Sequence, residues 1–111
     1  DHLAATLPAL AWMAYVIHGE EMSSSEAALA VAHHLAAGTG ADVKALLDNV
    51  VIAIDPLMNP DGRDRFLAMM AQNRTAQPGV DDQTLLHTGF WPDGRANHYL
   101  FDLNRDWVFV T

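Results

Sequence analysis

Two apolar runs, separated by about thirty residues, dominate the hydrophobic pattern of the chain. Residues 7–17 (LPALAWMAYVI) are almost continuously apolar, with aromatic and β-branched residues toward the end, and residues 50–55 (VVIAID) form a shorter run of the same kind. Short continuous apolar runs bounded by polar segments are typical of strands that are buried on both faces. The pattern therefore predicts two such strands.

The segment between the runs has the composition of a helix followed by a second, shorter one. Residues 23–38 are rich in alanine and leucine, Ser23 and Glu26 match a capping box, and Gly38 stands where a helix commonly ends. Residues 40–49 predict the shorter helix, with Asp42 as its N-cap.

A turn, a third helix and a long irregular segment follow the second run. The NPDG sequence of residues 59–62 breaks the strand, and Asp61 is expected to cap a helix over residues 62–72, while buried hydrogen bonds from Asn59 are expected to hold neighbouring loops. Residues 73–98 show little periodicity and predict a long loop, a type of segment that often carries function.

Strands that alternate with helices predict an α/β fold with a mixed, largely parallel sheet flanked by helices. A third strand is expected over residues 99–104. Ligands of such folds bind outside the carboxyl ends of the strands. The polar groups at His18, at residues 59–62 and at residues 102–105 are therefore expected to meet along one edge of the sheet.

Composition restricts the classes of partner. The chain of 111 residues is the length of one domain or of part of a larger one, and its formal net charge of −8 disfavours nucleic acid and anionic lipid surfaces. It contains no cysteine, so thiolate metal ligands and disulfides are excluded. No apolar run reaches the eighteen or more residues of a spanning helix, so membrane insertion is not expected.

The HGEE sequence of residues 18–21 places three ionisable groups at the end of the first apolar run. An imidazole at His18 and a carboxylate at Glu21 can both reach one cation, because Gly19 lets the turn bend tightly, and nitrogen with oxygen ligands suits zinc. The spacing also occurs by chance, and a histidine at a strand end is often a structural hydrogen-bonding residue.

Four motifs in order, HGEE (18–21), NPDG (59–62), GRANHY (94–99) and DLNRDW (102–107), resemble those of the zinc metallocarboxypeptidases of the carboxypeptidase A-like superfamily. The resemblance covers most of the chain and is strongest to the large bacterial-type members. It implies the zinc carboxypeptidase fold (phosphorylase/hydrolase-like), a Zn²⁺ cofactor, and hydrolysis of the C-terminal peptide bond of peptides or proteins.

The resemblance also implies roles for individual residues. His18 and Glu21 match two of the three zinc ligands, and Asp102 matches the acidic residue that orients the ligand histidine through its second ring nitrogen. Asn104 and Arg105 match the pair that grips the carboxylate of the substrate's terminal residue, a role that suits the planar fork of arginine. The alternative for Arg105 is a surface ion pair with its neighbouring acid.

Two arginines match the family residue that polarises the scissile carbonyl. Arg95 lies seven residues before Asp102 in an R-x-N context, and Arg74 lies fifteen residues after Asn59, the spacing of the pancreatic-type branch; Arg95 is favoured because its local context also matches. Glu20 is interpreted as a solvated carboxylate at the rim of the cleft.

The third zinc ligand and the general base of the family lie further along the chain than these 111 residues extend. Residues 1–111 are therefore expected to be the N-terminal part of a catalytic domain, with the rest of that domain as their partner, and a secreted or periplasmic location fits the family. Two alternatives stay open: an acyl-amino-acid deacylase of the aspartoacylase or succinylglutamate desuccinylase type, and a metal-free relative that serves as a binding domain.

Overall fold

A computed structural model describes residues 2–74 and 90–109 of the chain. The chain divides into two compact units, one from residues 1–15 and 23–56 and the other from residues 16–22 and 57–111. In chain order the elements are α1 (His2–Thr6), β1 (Ala9–Ala14), α2 (Ser23–Ala37), α3 (Ala41–Asn49), β2 (Val50–Asp55), α4 (Pro60–Gln72) and a 3₁₀ helix (Leu103–Arg105). The alternation confirms the α/β class.

The first unit is built on β1 and β2, which pair in parallel with Ala9 opposite Val50 and Ala14 opposite Asp55. The strand β2 has the bounds that its apolar run predicts. Helices α2 and α3 pack against β2 and bury Ala28 and Val43. Both helices begin and end close to the predicted positions, and the Gly38 amide ends α2 by donating to the carbonyl of His34 at 2.9 Å.

The prediction that both faces of the two strands are buried does not hold for the described residues. The side chains of Leu10, Trp12 and Val51 are 72%, 56% and 53% exposed, and Leu10 is paired with Val51, so these residues share one face of the sheet. Exposure alternates along much of both strands, and in β2 the less exposed Ile52 and Ile54 line a cavity together with residues of α2 and α3.

The first strand is shorter than its apolar run. It ends at Ala14, and after Tyr15, whose amide still donates to the Asp55 carbonyl at 2.9 Å, Val16 has a φ of 55°. Positive φ is costly for a β-branched residue and cannot continue a strand. The apolar residues after Tyr15 are therefore not part of β1. Val16 is 2% exposed in the second unit.

The helix caps differ by one or two residues from the prediction. Asn59, and not Asp61, caps α4: its side chain accepts a hydrogen bond from the Gly62 amide, and Pro60 occupies the first turn. Gly40, and not Asp42, precedes α3, and no side-chain hydrogen bond caps that helix. Both aspartates lie instead in the first turn, where their charge favours the helix dipole. Ser23, the expected cap of α2, is that helix's first residue.

The strand predicted over residues 99–104 is wrong. Turns occupy residues 98–100, Leu100 has a φ of 66°, and the 3₁₀ helix follows. The side-chain oxygen of Asn97 accepts from the amides of Tyr99 and Phe101, both at 3.0 Å, and so takes donors that a strand would use in its ladder. Most of the predicted loop, residues 75–89, lies outside the described residues.

Among the helices of the described residues, none has the length and apolar character needed to cross a membrane.

Candidate active site

The polar segments expected to converge do so within the second unit, beginning with the turn that carries His18. The Gly19 amide donates to the carbonyl of Gly94 at 2.6 Å, and the Glu21 amide donates to the carbonyl of His18 at 3.2 Å. A Cβ atom on Gly19 would collide with the backbone of Gly62 and Arg63, so this turn can approach α4 only with glycine at that position.

The imidazole of His18 lies between two carboxylates. Its Nε2 is 2.9 Å from Oδ1 of Asp102 and its Nδ1 is 3.1 Å from Oε1 of Glu21, while the residue is 4% exposed. Ionised carboxylates accept hydrogen bonds and donate none, and a neutral imidazole has one N–H. Both contacts are therefore satisfied together by a protonated ring, or by a neutral ring whose second nitrogen shares a cation with the carboxylate.

Asp102 uses both of its oxygens. Besides His18, Oδ1 accepts from the Asn104 amide at 3.0 Å, and Oδ2 accepts from Nε of Arg95 at 2.9 Å. Partial burial raises the pKa of the Asp102 carboxyl, but the hydrogen bonds from His18 and the Asn104 amide and the charges of Arg95 and His18 outweigh it, so the pKa lies below its ordinary value. Asp102 is thus held in its ionised form.

His18 and Glu21 fit two ligand positions of a zinc site. Two ligand atoms about 2.0–2.1 Å from a tetrahedral zinc are about 3.3 Å apart, close to the 3.1 Å between Nδ1 of His18 and Oε1 of Glu21. The hydrogen bond at the other ring nitrogen is the usual means of fixing a ligand histidine. Within residues 2–74 and 90–109, no group of three or more potential ligands is arranged around one point, so this pair does not complete a site by itself.

Asn59 connects the segments around the site, as its place in the NPDG turn predicts. The residue is 1% exposed; its Oδ1 accepts from the Gly62 amide at 2.9 Å, and its Nδ2 donates to the carbonyls of Ile17 at 3.2 Å and Arg95 at 3.3 Å. One amide side chain therefore bonds to the segment before His18, to the first turn of α4 and to the loop that carries Arg95.

Asn104 and Arg105 lie in the 3₁₀ helix beside this cluster. Arg105 is exposed and donates to the carbonyl of Asn104 at 3.0 Å, and within the part of the chain described here its guanidinium forms no ion pair. Oδ1 of Asn104 accepts from the indole N–H of Trp107 at 3.2 Å. A cavity of about 260 Å³ borders Arg105; its lining consists of Phe101, Asp102, Arg105, Asp106 and Phe109.

Glu20 differs in part from its interpretation as a solvated carboxylate at the rim of the cleft. The residue is half-buried, and its Oε2 is buried without a hydrogen-bond partner among the described residues. The cause is close packing against Gly94, since a Cβ atom placed there would lie 2.9 Å from that oxygen.

The two candidate arginines for the scissile carbonyl have different surroundings. Arg95 is bound to Asp102 within the cluster, whereas Arg74 is exposed and lines another cavity with apolar residues of α4 and Met22. Two contacts of this region are not predicted from the sequence: the bond between Arg95 and Asp102, and the bonds from Arg65 to three carbonyl oxygens of residues 93–97. No spacing or motif in the sequence signals either contact.

Comparison with protein-family models places the chain in a known class. The family described as zinc carboxypeptidase matches residues 8–111, and the chain therefore belongs to the zinc carboxypeptidase family. Searches of the curated proteins and of the solved structures gave no significant match.

Proposed function

We propose that the complete protein is a zinc-dependent metallocarboxypeptidase that hydrolyses the C-terminal peptide bond of peptides or proteins. The observation that carries the proposal is the imidazole of His18, which is held at Nε2 by Asp102 while Nδ1 faces the carboxylate of Glu21. A cation between Nδ1 and Glu21 lets a neutral ring satisfy both contacts, and membership of the zinc carboxypeptidase family supports zinc as that cation.

In this proposal His18 and Glu21 hold the metal, and Asp102 fixes the orientation and tautomer of the His18 ring. When bound, zinc supplies Lewis acidity toward the scissile carbonyl and lowers the pKa of a bound water toward about 7. In the same proposal a third ligand and a general base are supplied from outside the described residues, by the rest of the catalytic domain as the partner of this segment.

Arg95 is proposed to stabilise negative charge that develops on the carbonyl oxygen. Its Nε donates to Asp102, which fixes the plane of the guanidinium and leaves the two terminal nitrogens to donate elsewhere. Its side chain is 40% exposed, so a substrate can reach those nitrogens. A donor already in place when charge develops requires no reorganisation, which is the basis of oxyanion stabilisation.

Asn104 and Arg105 are proposed to bind the free carboxylate of the substrate. The guanidinium of Arg105 is exposed, borders a cavity and is in no ion pair in the described part of the chain, so its donors can form two parallel bonds to a carboxylate. The acidic chain repels anions in general, and the exposed guanidinium of Arg105 supplies the local positive charge that a carboxylate needs.

The test uses the complete protein, purified with its zinc content measured, and a blocked dipeptide offered as the free acid and as the C-terminal amide. We expect hydrolysis of the acid, loss of activity after zinc is removed with a chelator, and recovery when zinc is returned. Activity that is indifferent to zinc removal, or equal turnover of acid and amide, contradicts the proposal.

A further inference from the structure

We propose that Arg65 of α4 is a positioning residue, whose guanidinium holds residues 93–97 in the conformation that brings Arg95 to Asp102. The contacts stand independently of any activity, whereas the catalytic consequence rests on the proposed function of Arg95. Arg65 lies outside the HGEE, NPDG, GRANHY and DLNRDW motifs.

Three hydrogen bonds join this one side chain to one loop. Nη1 of Arg65 donates to the carbonyls of Asp93 at 3.2 Å and Ala96 at 2.9 Å, and Nη2 donates to the carbonyl of Asn97 at 3.0 Å. A guanidinium presents its donors in a fixed plane, so three acceptors bound at once are held in a fixed arrangement relative to one another. The bonds therefore specify the shape of the loop as well as its location.

The loop needs such support because it has little regular structure of its own. Residues 91–96 are turns, and Asp93 has a φ of 36°, in the region that residues other than glycine seldom adopt. By contrast, Arg65 belongs to α4, a helix that is capped by Asn59. Phe66, the residue after Arg65, is buried and anchors the helix. The guanidinium thus fastens an irregular segment to an anchored helix.

The carbonyls that Arg65 holds flank Arg95 on both sides in the sequence. The Arg95 amide is also fixed, since it donates to the carbonyl of Pro92 at 3.0 Å and to Oδ1 of Asp93 at 2.9 Å. With the backbone constrained before and after it, Arg95 emerges in a direction that lets Nε reach Asp102 at 2.9 Å. A displacement of about 1 Å in a catalytic group can cost on the order of 100-fold in rate, so this constraint has a kinetic consequence.

Arg65→Lys is the informative variant because it keeps the positive charge but replaces a planar fork by a single ammonium, which cannot span the three carbonyls. Arg65→Gln is a second variant without the charge. Asp64→Asn serves as the control, since Asp64 is the adjacent, exposed residue of the same helix. The variants are made in the complete protein with and without Arg95→Ala.

The first measurement is amide hydrogen exchange of peptides that cover residues 90–101, with the peptide of β2 as an internal reference. We expect Arg65→Lys to speed exchange in residues 90–101 and to leave β2 and the Asp64→Asn protein unchanged. Unchanged exchange in residues 90–101 of both Arg65 variants overturns the positioning role. This measurement remains decisive if the protein hydrolyses no peptide, a result that would remove only the proposed function.

The second measurement is steady-state hydrolysis of a blocked peptide acid. We expect Arg65→Lys to lower kcat by about 10- to 100-fold with KM changed by less than about 3-fold, and to have almost no further effect when Arg95 is already alanine. An equal loss in both backgrounds shows that Arg65 acts independently of Arg95 and overturns the inference.

Discussion

The role of Asn59 can be tested because its side chain combines two functions that substitution separates. Its oxygen caps α4 by accepting from Gly62, and its amino group donates to the carbonyls of Ile17 and Arg95. Asn59→Asp retains the cap and adds a negative charge at a helix N-terminus, but it removes the donor and directs an oxygen at two carbonyl oxygens. Asn59→Ser retains a cap alone, and Asn59→Ala retains neither function.

The magnitudes follow from burial and bond length. Loss of the cap costs about 1 kcal/mol. Loss of each donor leaves a carbonyl without that partner, which costs about 1–3 kcal/mol, and we take about 1 kcal/mol because the two bonds are long, 3.2 and 3.3 Å. Asn59→Ser should therefore lower the free energy of unfolding by about 2 kcal/mol and Asn59→Ala by about 3 kcal/mol.

Asn59→Asp should cost at least as much as Asn59→Ala, although aspartate is as good a cap as asparagine. The residue is 1% exposed, so the carboxylate would be buried beside two carbonyl oxygens with no cation among the described contacts of Asn59. Asp61→Ala is the matched control, since Asp61 is exposed in the first turn of the same helix and its loss should change stability by less than about 1 kcal/mol.

Urea denaturation of the complete protein, followed by circular dichroism, gives each change in stability from the transition midpoint at a common slope. An Asn59→Asp protein as stable as the parent would show that the cap alone accounts for the effect of Asn59 and that its two donated bonds contribute nothing. A loss in Asp61→Ala as large as that in Asn59→Ala would instead assign the cap to Asp61, as the sequence predicts.

Three further predictions address the site. Asp102→Asn should weaken zinc binding by about 10- to 100-fold in competition with a chromogenic chelator, and unchanged affinity would show that Asp102 does not orient His18. Arg105→Ala should cost about 1.5–3 kcal/mol in kcat/KM on a free-acid substrate and much less on its amide, whereas equal losses would exclude carboxylate recognition. Gly94→Ala should lower the denaturation midpoint because its Cβ atom would meet Glu20, and an unchanged midpoint would show that the loop can yield there.

The regular elements were predictable where a residue's local environment decides its conformation. The second apolar run predicts the bounds of β2, and the alanine-rich segment predicts α2, because hydrophobic period and helix propensity act over neighbouring residues. The cap at Asn59 could also have been predicted, since proline favours the first position of a helix and Pro60 therefore marks Asn59 as the N-cap.

The strand predicted over residues 99–104 does not form, and hydrophobic periodicity could not have shown why. Residues 99–104 have strand-like composition, yet the side chain of Asn97 captures two of the amides and Leu100 adopts a positive φ. Competition of this kind between a side chain and the backbone depends on where the neighbouring turns direct the chain. The early end of β1 at Ala14 has the same character, because Val16 is buried in the second unit.

The order of the motifs predicts that His18, Glu21 and Asp102 lie together. In the structure the His18 ring is 3.1 Å from Oε1 of Glu21 and 2.9 Å from Oδ1 of Asp102. The motifs do not indicate the role of Arg65, because it binds backbone carbonyl oxygens, which every residue type has. A contact between a side chain and backbone atoms about thirty residues away is visible only once both segments have been placed.

The shared use of Asp102 limits how the site can vary. One oxygen serves His18 and the other serves Arg95, so the orientations of the proposed metal ligand and of the proposed oxyanion donor are set by a single carboxylate. An asparagine has one acceptor oxygen, which can serve one of these partners while its amino group faces the donor of the other. Since Arg65 and Asn59 also fix the loop of Arg95 to α4, the position of Arg95 is determined from two directions. The NPDG turn and the helix after it therefore contribute to the site by constraining Arg95. The hydrogen bonds of the His18 ring are made with Glu21 and Asp102 and involve neither the turn nor the helix.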